Sequence, residues 1–375
     1  REKSGRGRLS LKSTGPTDTI NLYIYYYFIG LDSAMPGLLL DTLNGKPADR
    51  TPLWLMRQAG RYLPEYRALR AEKGGFLAMA YDSEAACEIT LQPIDRFGFD
   101  GAILFSDILI VPHALGQHLE FMAGEGPKLS PPLVDAVLAD LTPDPTRYDP
   151  IYETVRLCRK RLPDGVTMLG FAGSPWTVAT YMVAGEGSRD QHAARAMAYA
   201  DPGKLDAILD RIVSETITYL SGQIAAGAEA VQLFDSWAGS LAPDEFERLV
   251  IAPNAAITTA LRERHPETPI IGFPKGAGEK LPAYARETGV DAVGVDETLD
   301  PEWAARELPA GMPVQGNLDP LLLLAGSDRL EQRVRTILEA FAGRPHVFNL
   351  GHGIDRRTPI AHVERLISTV RAFEG

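Results

Sequence analysis

Cysteine is almost missing from this chain, which has two in 375 residues, Cys87 and Cys158. Both fall inside stretches whose apolar residues have the spacing of a helix. A disulfide framework needs more cysteines, and a cysteine-rich metal site needs them close together at the ends of loops. We therefore expect neither, and we expect a reducing, cytoplasmic setting.

Motifs for metals, dinucleotides and serine nucleophiles are also missing. The seven histidines form no H-E-x-x-H pair, no apolar run is followed by G-x-G-x-x-G, and no G-x-S-x-G occurs. The sequence therefore predicts chemistry without a metal or a cofactor.

Positive charge is in short supply, with 38 basic against 49 acidic residues and a formal net charge of −11. This balance argues against nucleic acid or an anionic membrane surface as a partner. An anionic ligand must then be met by Arg or Lys side chains concentrated at one place.

Long hydrophobic runs are absent too. The longest, INLYIYYYFIGL, has about a dozen residues, too few to span a bilayer. Basic residues precede it as in a secretory signal, but no small-x-small cleavage site follows. We interpret residues 1–34 as an extension, disordered or non-native, upstream of a natural start at Met35. Residues 35–375 are then the catalytic domain.

Short apolar runs alternate with longer segments of helical period, which is typical of parallel βα units rather than hairpins. The predicted strands are 52–56, 101–105, 166–171, 230–234, 269–273, 292–295, 312–316 and 346–350. Each is followed by a polar or glycine-containing segment. Because the carboxyl ends of barrel strands converge on one mouth, we predict a single (β/α)8 barrel of the α/β class, with a doubly wound open sheet as the competitor.

Two arginines stand four residues apart in PLWLMRQAGRYLPEY, where the first run ends. Arg57 and Arg61 share a face if the chain turns helical, and Gly60 lets both point into the mouth if it stays a loop. Guanidinium groups suit carboxylates or phosphates. The alternative is that both arginines lie on the surface and pair with Glu65 or with helix carbonyl groups.

Asp107 follows the run AILFS, and Tyr181 lies in GFAGSPWTVATYMVAG, where Ser174 and Pro175 predict a helix start. A carboxylate in a partly dry mouth needs an arginine or a cationic ligand. The alternatives are that Asp107 caps the next helix or neutralises Arg57, and that Tyr181 is a core residue.

Three further strand ends offer polar groups. Ser236, in FDSWAGSL, is placed to donate to a ligand carboxylate, and His352, in NLGHGI, lies between two glycines that allow close approach of the backbone. A turn histidine with no catalytic task is the alternative. Lys275, in GFPKGAG, lacks the neighbouring cation that a Schiff-base lysine needs.

Taken together, MRQAGRYLPEY, LQPI, FSDIL, GFAGSPWT, FDSWAGSL, QGNLDP and NLGHG resemble the uroporphyrinogen decarboxylase family. The resemblance runs in order from about Leu38 to the C-terminus. It implies a (β/α)8 barrel, a homodimer and a cofactorless lyase that converts the four acetates of a reduced tetrapyrrole to methyls.

The resemblance also implies which residues act. Its catalytic positions fall on Arg57, Arg61, Asp107, Tyr181 and His352. The expected substrate-binding residues are Arg57, Gln58, Arg61, Phe105, Asp107, Tyr181, Ser236 and His352. Trp237 occupies a position where some members have His, and it receives no chemical role.

Two rival functions remain open from the sequence. Methyltransferases that share a related barrel use zinc held by His and Cys, whereas here His352 is followed by glycine and the cysteines fall on predicted helices. A tetrapyrrole carrier that binds without reacting is the rival that is not an enzyme.

Overall fold

The strands follow one another in the order that a parallel barrel requires. A computed structural model of the chain describes residues 37–46, 48–122 and 126–373. Its strands are β1 (Gly101–Ile103), β2 (His118–Met122), β3 (Gly126–Ser130), β4 (Thr167–Gly173), β5 (Ala230–Asp235), β6 (Ile270–Pro274), β7 (Ala292–Gly294), β8 (Val314–Leu318) and β9 (His346–Leu350). The predicted extension 1–34 lies outside the described residues.

Seven strands form one parallel sheet in the order β1, β4, β5, β6, β7, β8, β9. Every neighbouring pair in this sheet is parallel, from Gly101 opposite Thr167 to Leu318 opposite Leu350. Parallel neighbours need crossover connections, and helices supply them here. The predicted α/β barrel architecture is confirmed, and the predicted bounds differ from the observed ones by no more than a few residues.

The first predicted strand, 52–56, is not a regular strand. Its contact with β9 is one parallel bridge between Leu53 and Phe348, with the N–H of Phe348 donating to the Pro52 carbonyl over 2.8 Å. On its other side, the Leu53 carbonyl accepts from the N–H of Asp100, just before β1, over 2.9 Å. The segment therefore occupies the eighth position and closes the barrel with few ladder bonds.

One antiparallel hairpin interrupts the βα pattern, although the sequence favoured parallel βα units over hairpins. β2 and β3 pair from His118 opposite Ser130, and Leu119 is buried. The N–H of Leu129 donates to the Gly185 carbonyl over 2.7 Å, which ties the hairpin to the end of a later helix. The hairpin thus lies beside the barrel rather than in its wall.

Helices cover the sheet. They are α1 (Leu38–Leu43), α2 (Pro64–Lys73), α3 (Phe76–Tyr81), α4 (Ser83–Phe97), α5 (Ile110–Ala114), α6 (Asp149–Arg161), α7 (Pro175–Ala184), α8 (His192–Ala200), α9 (Pro202–Ala226), α10 (Pro243–Phe246), α11 (Ala252–Arg264), α12 (Leu281–Glu287), α13 (Pro301–Glu307), α14 (Pro320–Ala325), α15 (Arg329–Phe341) and α16 (Ile360–Arg371). In the part of the chain that the structure describes, none has the length and apolar content needed to cross a bilayer.

The alternation of side chains along the strands decides what faces the barrel interior. Low in the barrel, the Trp54 indole donates to Gln315 Oε1 over 3.0 Å, and Gln315 Nε2 donates to Gln232 Oε1 over 3.1 Å. Gln232 is therefore an inward residue of β5. Because successive side chains of a strand point to opposite faces, Phe234 points inward as well, and Ser236 follows the last residue of β5.

Candidate active site

The arginine pair lies on a loop, which is the second of the two predicted alternatives. α2 begins only at Pro64, and Arg57 has a φ of +60°, a left-handed conformation that is uncommon for a residue other than glycine. The Arg57 side chain lies across Gly353, where an added Cβ would stand 2.4 Å from Arg57 Cδ. Glycine at 353 therefore makes room for the guanidinium group at the mouth.

Gln58 holds this loop from behind. Its side chain is fully buried, its Oε1 accepts from the N–H of Leu55 over 3.0 Å, and its Nε2 donates to the Gly101 carbonyl over 2.9 Å. Both ends of the amide are thus used by the backbone. These contacts favour a positioning role for Gln58, and direct contact with a ligand stays a prediction.

Arg61 is exposed and belongs to a cluster of cations. Burial, followed by the charges of Arg356, Arg70 and Arg57, lowers the pKa of Arg61. Arg356, in GIDRR, was not singled out in the sequence, because nothing in its local pattern shows that the last βα loop returns to the first. The arginine rim of the mouth is therefore made by Arg57, Arg61 and Arg356.

Asp107 stands at the end of β1, half-buried, facing the charge of Arg57. Its Oδ1 accepts from the N–H of Leu109 over 2.9 Å, as the capping alternative predicted in part. Burial raises the pKa of Asp107 to about 6, against the opposing effects of the Leu109 N–H and the Arg57 charge. At neutral pH the carboxylate is still mostly ionised, and it is available to accept hydrogen bonds.

Tyr181 lies in α7, whose predicted start at Ser174 and Pro175 is confirmed. The Ser174 hydroxyl does not cap the helix, since it donates to Asn254 Oδ1 over 3.0 Å instead. Burial, and then the negative charge of Asp107, raise the pKa of the Tyr181 phenol. Tyr181 therefore keeps its proton and acts as a neutral hydrogen-bond donor near Asp107.

The first turn of α7 fixes the loop that carries Ser236. The Thr177 hydroxyl donates to Asp235 Oδ1 over 2.5 Å and accepts from the N–H of Trp237 over 3.1 Å. The Trp176 indole donates to the Trp237 carbonyl over 3.2 Å. Residues on both sides of Ser236 are thus held in place, and Ser236 itself is half-buried.

An aromatic floor closes the mouth from below. Phe234 of β5 makes edge contacts with Phe171 of β4 and Phe273 of β6, at ring-centroid distances of 5.6 and 6.0 Å. His352 stacks over Phe273 at 6.5 Å. Burial lowers the pKa of His352 to about 3, and the charges of Arg57 and Lys275 act in the same direction. The imidazole is therefore neutral at neutral pH.

Phe105, the remaining predicted contact, is buried in a separate aromatic group. Its ring lies 5.8 Å from that of Tyr66 and 5.3 Å from that of Phe76, and its N–H donates to the Thr90 hydroxyl over 3.0 Å. The structure thus places Phe105 at the wall next to α2 and α3. Its contact with a ligand stays a prediction.

Side chains with metal-binding groups are scattered. Within residues 37–46, 48–122 and 126–373, no three His, Cys, Asp or Glu side chains are grouped so as to hold a metal ion. Cys87 and Cys158 are both buried in helices, α4 and α6, away from the mouth.

Taken as a whole, the mouth has cations at its rim, an aromatic floor and one half-buried carboxylate between them. Charged forks bind carboxylates, a floor of rings packs against a flat or saucer-shaped apolar body, and an open carboxylate accepts N–H groups or steadies positive charge. The fold and the site therefore define a barrel enzyme for a large ligand with several anionic arms.

The family model for uroporphyrinogen decarboxylase (URO-D) matches residues 36–373. A protein of Erythrobacter litoralis named uroporphyrinogen decarboxylase is 72% identical over 91% of this chain and 100% of its own length. One from Novosphingobium aromaticivorans with the same name is 69% identical over 90% of this chain and 99% of its own. The chain belongs to the uroporphyrinogen decarboxylase family.

Solved structures show the same fold at low sequence identity. A methyltransferase from Methanosarcina mazei aligns with a TM-score of 0.75 and 18% identity, over 89% of this chain and 97% of its own. A B12-independent methionine synthase from a Shewanella species aligns with a TM-score of 0.53 and 11% identity, over 86% and 93%. These likenesses concern the barrel alone.

Proposed function

We propose that the chain is a uroporphyrinogen decarboxylase that removes the four acetate carboxyl groups of uroporphyrinogen III, giving coproporphyrinogen III and four CO2. The observation that carries the proposal is the combination of Asp107 and Arg57 above an aromatic floor in a member of this family. The reaction belongs to haem and tetrapyrrole biosynthesis and uses no cofactor.

Binding follows from the charges and shape of the mouth. The macrocycle rests on the partly exposed ring of Phe234, which Phe171 and Phe273 support from the side, with its carboxylates at the rim. Arg57 and Arg61 pair with acetate or propionate groups, and the overall net charge of −11 makes this local concentration of arginine decisive. Ser236 donates a hydrogen bond to a further carboxylate.

The substrate supplies its own electron sink. Protonation of the ring carbon next to the one that bears an acetate arm creates a cationic iminium. The electrons of the bond between the acetate methylene and its carboxyl carbon then flow into the ring, and CO2 leaves. A second proton converts the methylene to a methyl, and the ring carbon then loses the first proton to restore the pyrrole, so that one proton is taken up for each CO2 released.

Asp107 accepts hydrogen bonds from the pyrrole N–H groups and stabilises the cation. At an effective dielectric constant near 20, two unit charges about 4 Å apart gain roughly 4 kcal/mol. Since about 1.4 kcal/mol corresponds to tenfold in rate, an interaction made only in the transition state supplies nearly three orders of magnitude.

Tyr181 and His352 orient the substrate as neutral groups. The pKa of Tyr181 is raised and that of His352 is lowered to about 3, mainly by burial, so neither carries charge at neutral pH. Each hydrogen bond that they make to a carboxylate or pyrrole restricts the ring to a productive position. Arg57 and Arg61 are candidates for delivering the proton to the substrate.

Two further features belong to this proposal. The protein acts in the cytoplasm, in keeping with its two free cysteines. It works as a homodimer, the assembly that the family resemblance implies. Light scattering on the purified full chain measures the particle mass, and a mass equal to that of one chain at working concentration would contradict the dimer.

Release of CO2 tests the reaction directly. The purified full chain is incubated without oxygen with uroporphyrinogen III, and CO2 and the carboxylate count of the products are measured together. We expect four CO2 for each coproporphyrinogen formed. Binding of the macrocycle without any CO2 would identify a carrier, whereas activity that requires stoichiometric zinc and a methyl donor would identify a methyltransferase.

A further inference from the structure

A side chamber opens beside Ser236, where β5, β6 and β7 end. Its volume is about 230 Å³, below the roughly 300–1,000 Å³ of pockets that hold whole ligands. It is lined by Arg189, Gln191, Ser236, Trp237, Gly239, Ser240, Lys275, Gly276, Asp296 and Thr298. A space of this size takes one arm of a larger ligand.

Lys275 directly follows Pro274, the last residue of β6, at the mouth end of the strand. Within β6, Gly272 faces outward, since a Cβ there would meet the ring of Tyr284 on α12 at 2.6 Å, and Phe273 contacts Phe234 and His352 inside the barrel. Lys275 itself lines the chamber, and its charge acts on His352.

The backbone of Lys275 is held on both sides. Its N–H donates to the Asp235 carbonyl and its carbonyl accepts from the N–H of Gly239, each over 3.0 Å. The lysine is thus anchored to the same loop that carries Ser236. A cation fixed next to a hydroxyl donor is a suitable pair for one carboxylate.

Two cations and two carboxylates stand at the chamber, and they differ in how far their hydrogen-bonding groups are already used. Lys275 Nζ stands 3.5 Å from Glu297 Oε1, a loose pair, and Arg189 is exposed with no ion pair to any described residue. Asp296 is already occupied, because its oxygens accept from the N–H groups of Gly276 and Thr298 over 2.7 and 2.8 Å. Asp296 keeps its negative charge, but its oxygens are engaged by the backbone, so the donors of Lys275 and Arg189 are the groups left for a ligand carboxylate.

Lys275 and the arginine loop stand across the barrel from each other. Around the wall, β1, β4 and β5 separate β6 from segment 52–56 on one side, and β7, β8 and β9 separate them on the other. β6 is therefore diametrically opposite Arg57. The charges of both Arg57 and Lys275 act on His352, as expected for cations that face one shared space.

We infer that Lys275 and Arg189 form a second carboxylate-binding pole, which holds an acetate or propionate arm of the substrate in the side chamber opposite the arginine rim. This inference rests on the proposed macrocyclic substrate. A ring with carboxylates around its whole perimeter leaves its far side unpaired if cations stand only at Arg57 and Arg61. The second pole is thus a determinant of substrate orientation.

Two single substitutions with opposite expected effects test the second pole. Lys275→Met removes the cation, and Glu297→Gln removes its loose partner while keeping the cation. We measure KM and kcat with uroporphyrinogen III, and the Kd of the oxidised octacarboxylate uroporphyrin by quenching of tryptophan fluorescence. Lys275→Met should raise KM and Kd about tenfold with kcat changed much less, as for loss of one charged hydrogen bond.

Glu297→Gln should lower KM and Kd a few-fold, and Arg189→Gln should raise them less than Lys275→Met does, because exposed charges are screened. Unchanged KM and Kd in folded Lys275→Met would overturn the second pole. Equal losses of thermal stability in Lys275→Met and Glu297→Gln with no change in Kd would also overturn it, since that result describes a structural pair. Failure of the wild-type protein to release CO2 would instead contradict the proposed function, while the Kd values would still decide the pole.

Discussion

A carboxyl group follows β1 and another ends β5, namely Asp107 and Asp235. They differ in burial and in hydrogen bonding. Burial raises the pKa of both, to about 6 for Asp107 and about 7 for Asp235. Asp235 is fully buried, and its Oδ1 is held by the Thr177 hydroxyl. Asp107 is half-buried, and the Leu109 N–H is its one hydrogen-bond donor among the described residues.

The difference separates a structural carboxyl from one that is available to a ligand. Asp235 Oδ1 is bound by the Thr177 hydroxyl beside the loop that carries Ser236, and Asp235 Oδ2 is buried without a hydrogen-bond partner in the described ranges of the chain, out of reach of a ligand. Asp107 keeps acceptor capacity open toward a mouth that also contains Arg57 and Tyr181. Similar pKa values therefore conceal two roles, and substitution of each carboxyl should affect different measurements.

The largest effect is expected at Asp107. Asp107→Asn keeps an oxygen for the Leu109 N–H but loses the negative charge that stabilises the cationic ring. We expect kcat to fall about 10²- to 10³-fold, with the melting temperature little changed. The matched control is Asp235→Asn, which should keep kcat within a few-fold. Near-normal turnover in Asp107→Asn would contradict the electrostatic role.

The next effect concerns the arginine rim. Arg57→Ala and Arg61→Ala should each raise KM about 10- to 100-fold, because each removes a charged hydrogen bond to a substrate carboxylate. Arg357→Ala is the control, since Arg357 is exposed on the neighbouring loop and pairs with Asp355 at 2.8 Å. If both rim variants keep wild-type KM and kcat, the rim does not bind the substrate.

The pH dependence of kcat/KM should show the raised pKa of Asp107. The ionised form is the active one, so kcat/KM should fall about tenfold per pH unit below about pH 6. His352→Asn should lower the rate and leave this limb in place, because the pKa of His352 is about 3. An identical limb in the residual activity of Asp107→Asn would show that another group causes it.

The smallest effect is on stability at Asp235. Its folded pKa of about 7 lies well above that of an aspartate in the unfolded chain, so its contribution to stability falls as the pH rises toward 7. The free energy of unfolding of Asp235→Asn, relative to wild type, should therefore rise by on the order of 2 kcal/mol between pH 5 and pH 7.

Denaturant titrations at pH 5, 6 and 7 measure this difference. Asp140→Asn, which changes an exposed carboxyl outside the barrel, should parallel the wild type at every pH. A constant difference between Asp235→Asn and wild type over the same range would mean that Asp235 is not the buried acid that its surroundings indicate.

Elements with a strong local pattern were predictable. The bounds of β9, 346–350, agree with the predicted run, and the start of α7 follows from Ser174 at its N-cap and Pro175 as its first residue. Segment 52–56 was overestimated as a strand, since its apolar run reflects burial on both faces more than ladder bonding. The hairpin of β2 and β3 was missed because its pairing depends on contacts with α3 and α7.

Roles that depend on distant partners were harder to predict. From the sequence, Gln58 is only a polar neighbour of Arg57. In the structure its side-chain amide forms hydrogen bonds with the backbone of Leu55 and Gly101. The role of Arg356 was not predictable from its local sequence, because the loop after β9 must fold back toward the first strand position to bring it near Arg61. Lys275 looked unsupported for chemistry, and its position opposite Arg57 follows from the order of strands around the barrel.

By itself, the sequence determined the alternating βα order, the family and the residue types at each strand end, because apolar periodicity and long motifs are local properties of the chain. Only the tertiary structure decided which of those ends are open to a ligand. That property depends on burial and on hydrogen bonds between residues far apart in the chain, as the contrast between Asp107 and Asp235 shows.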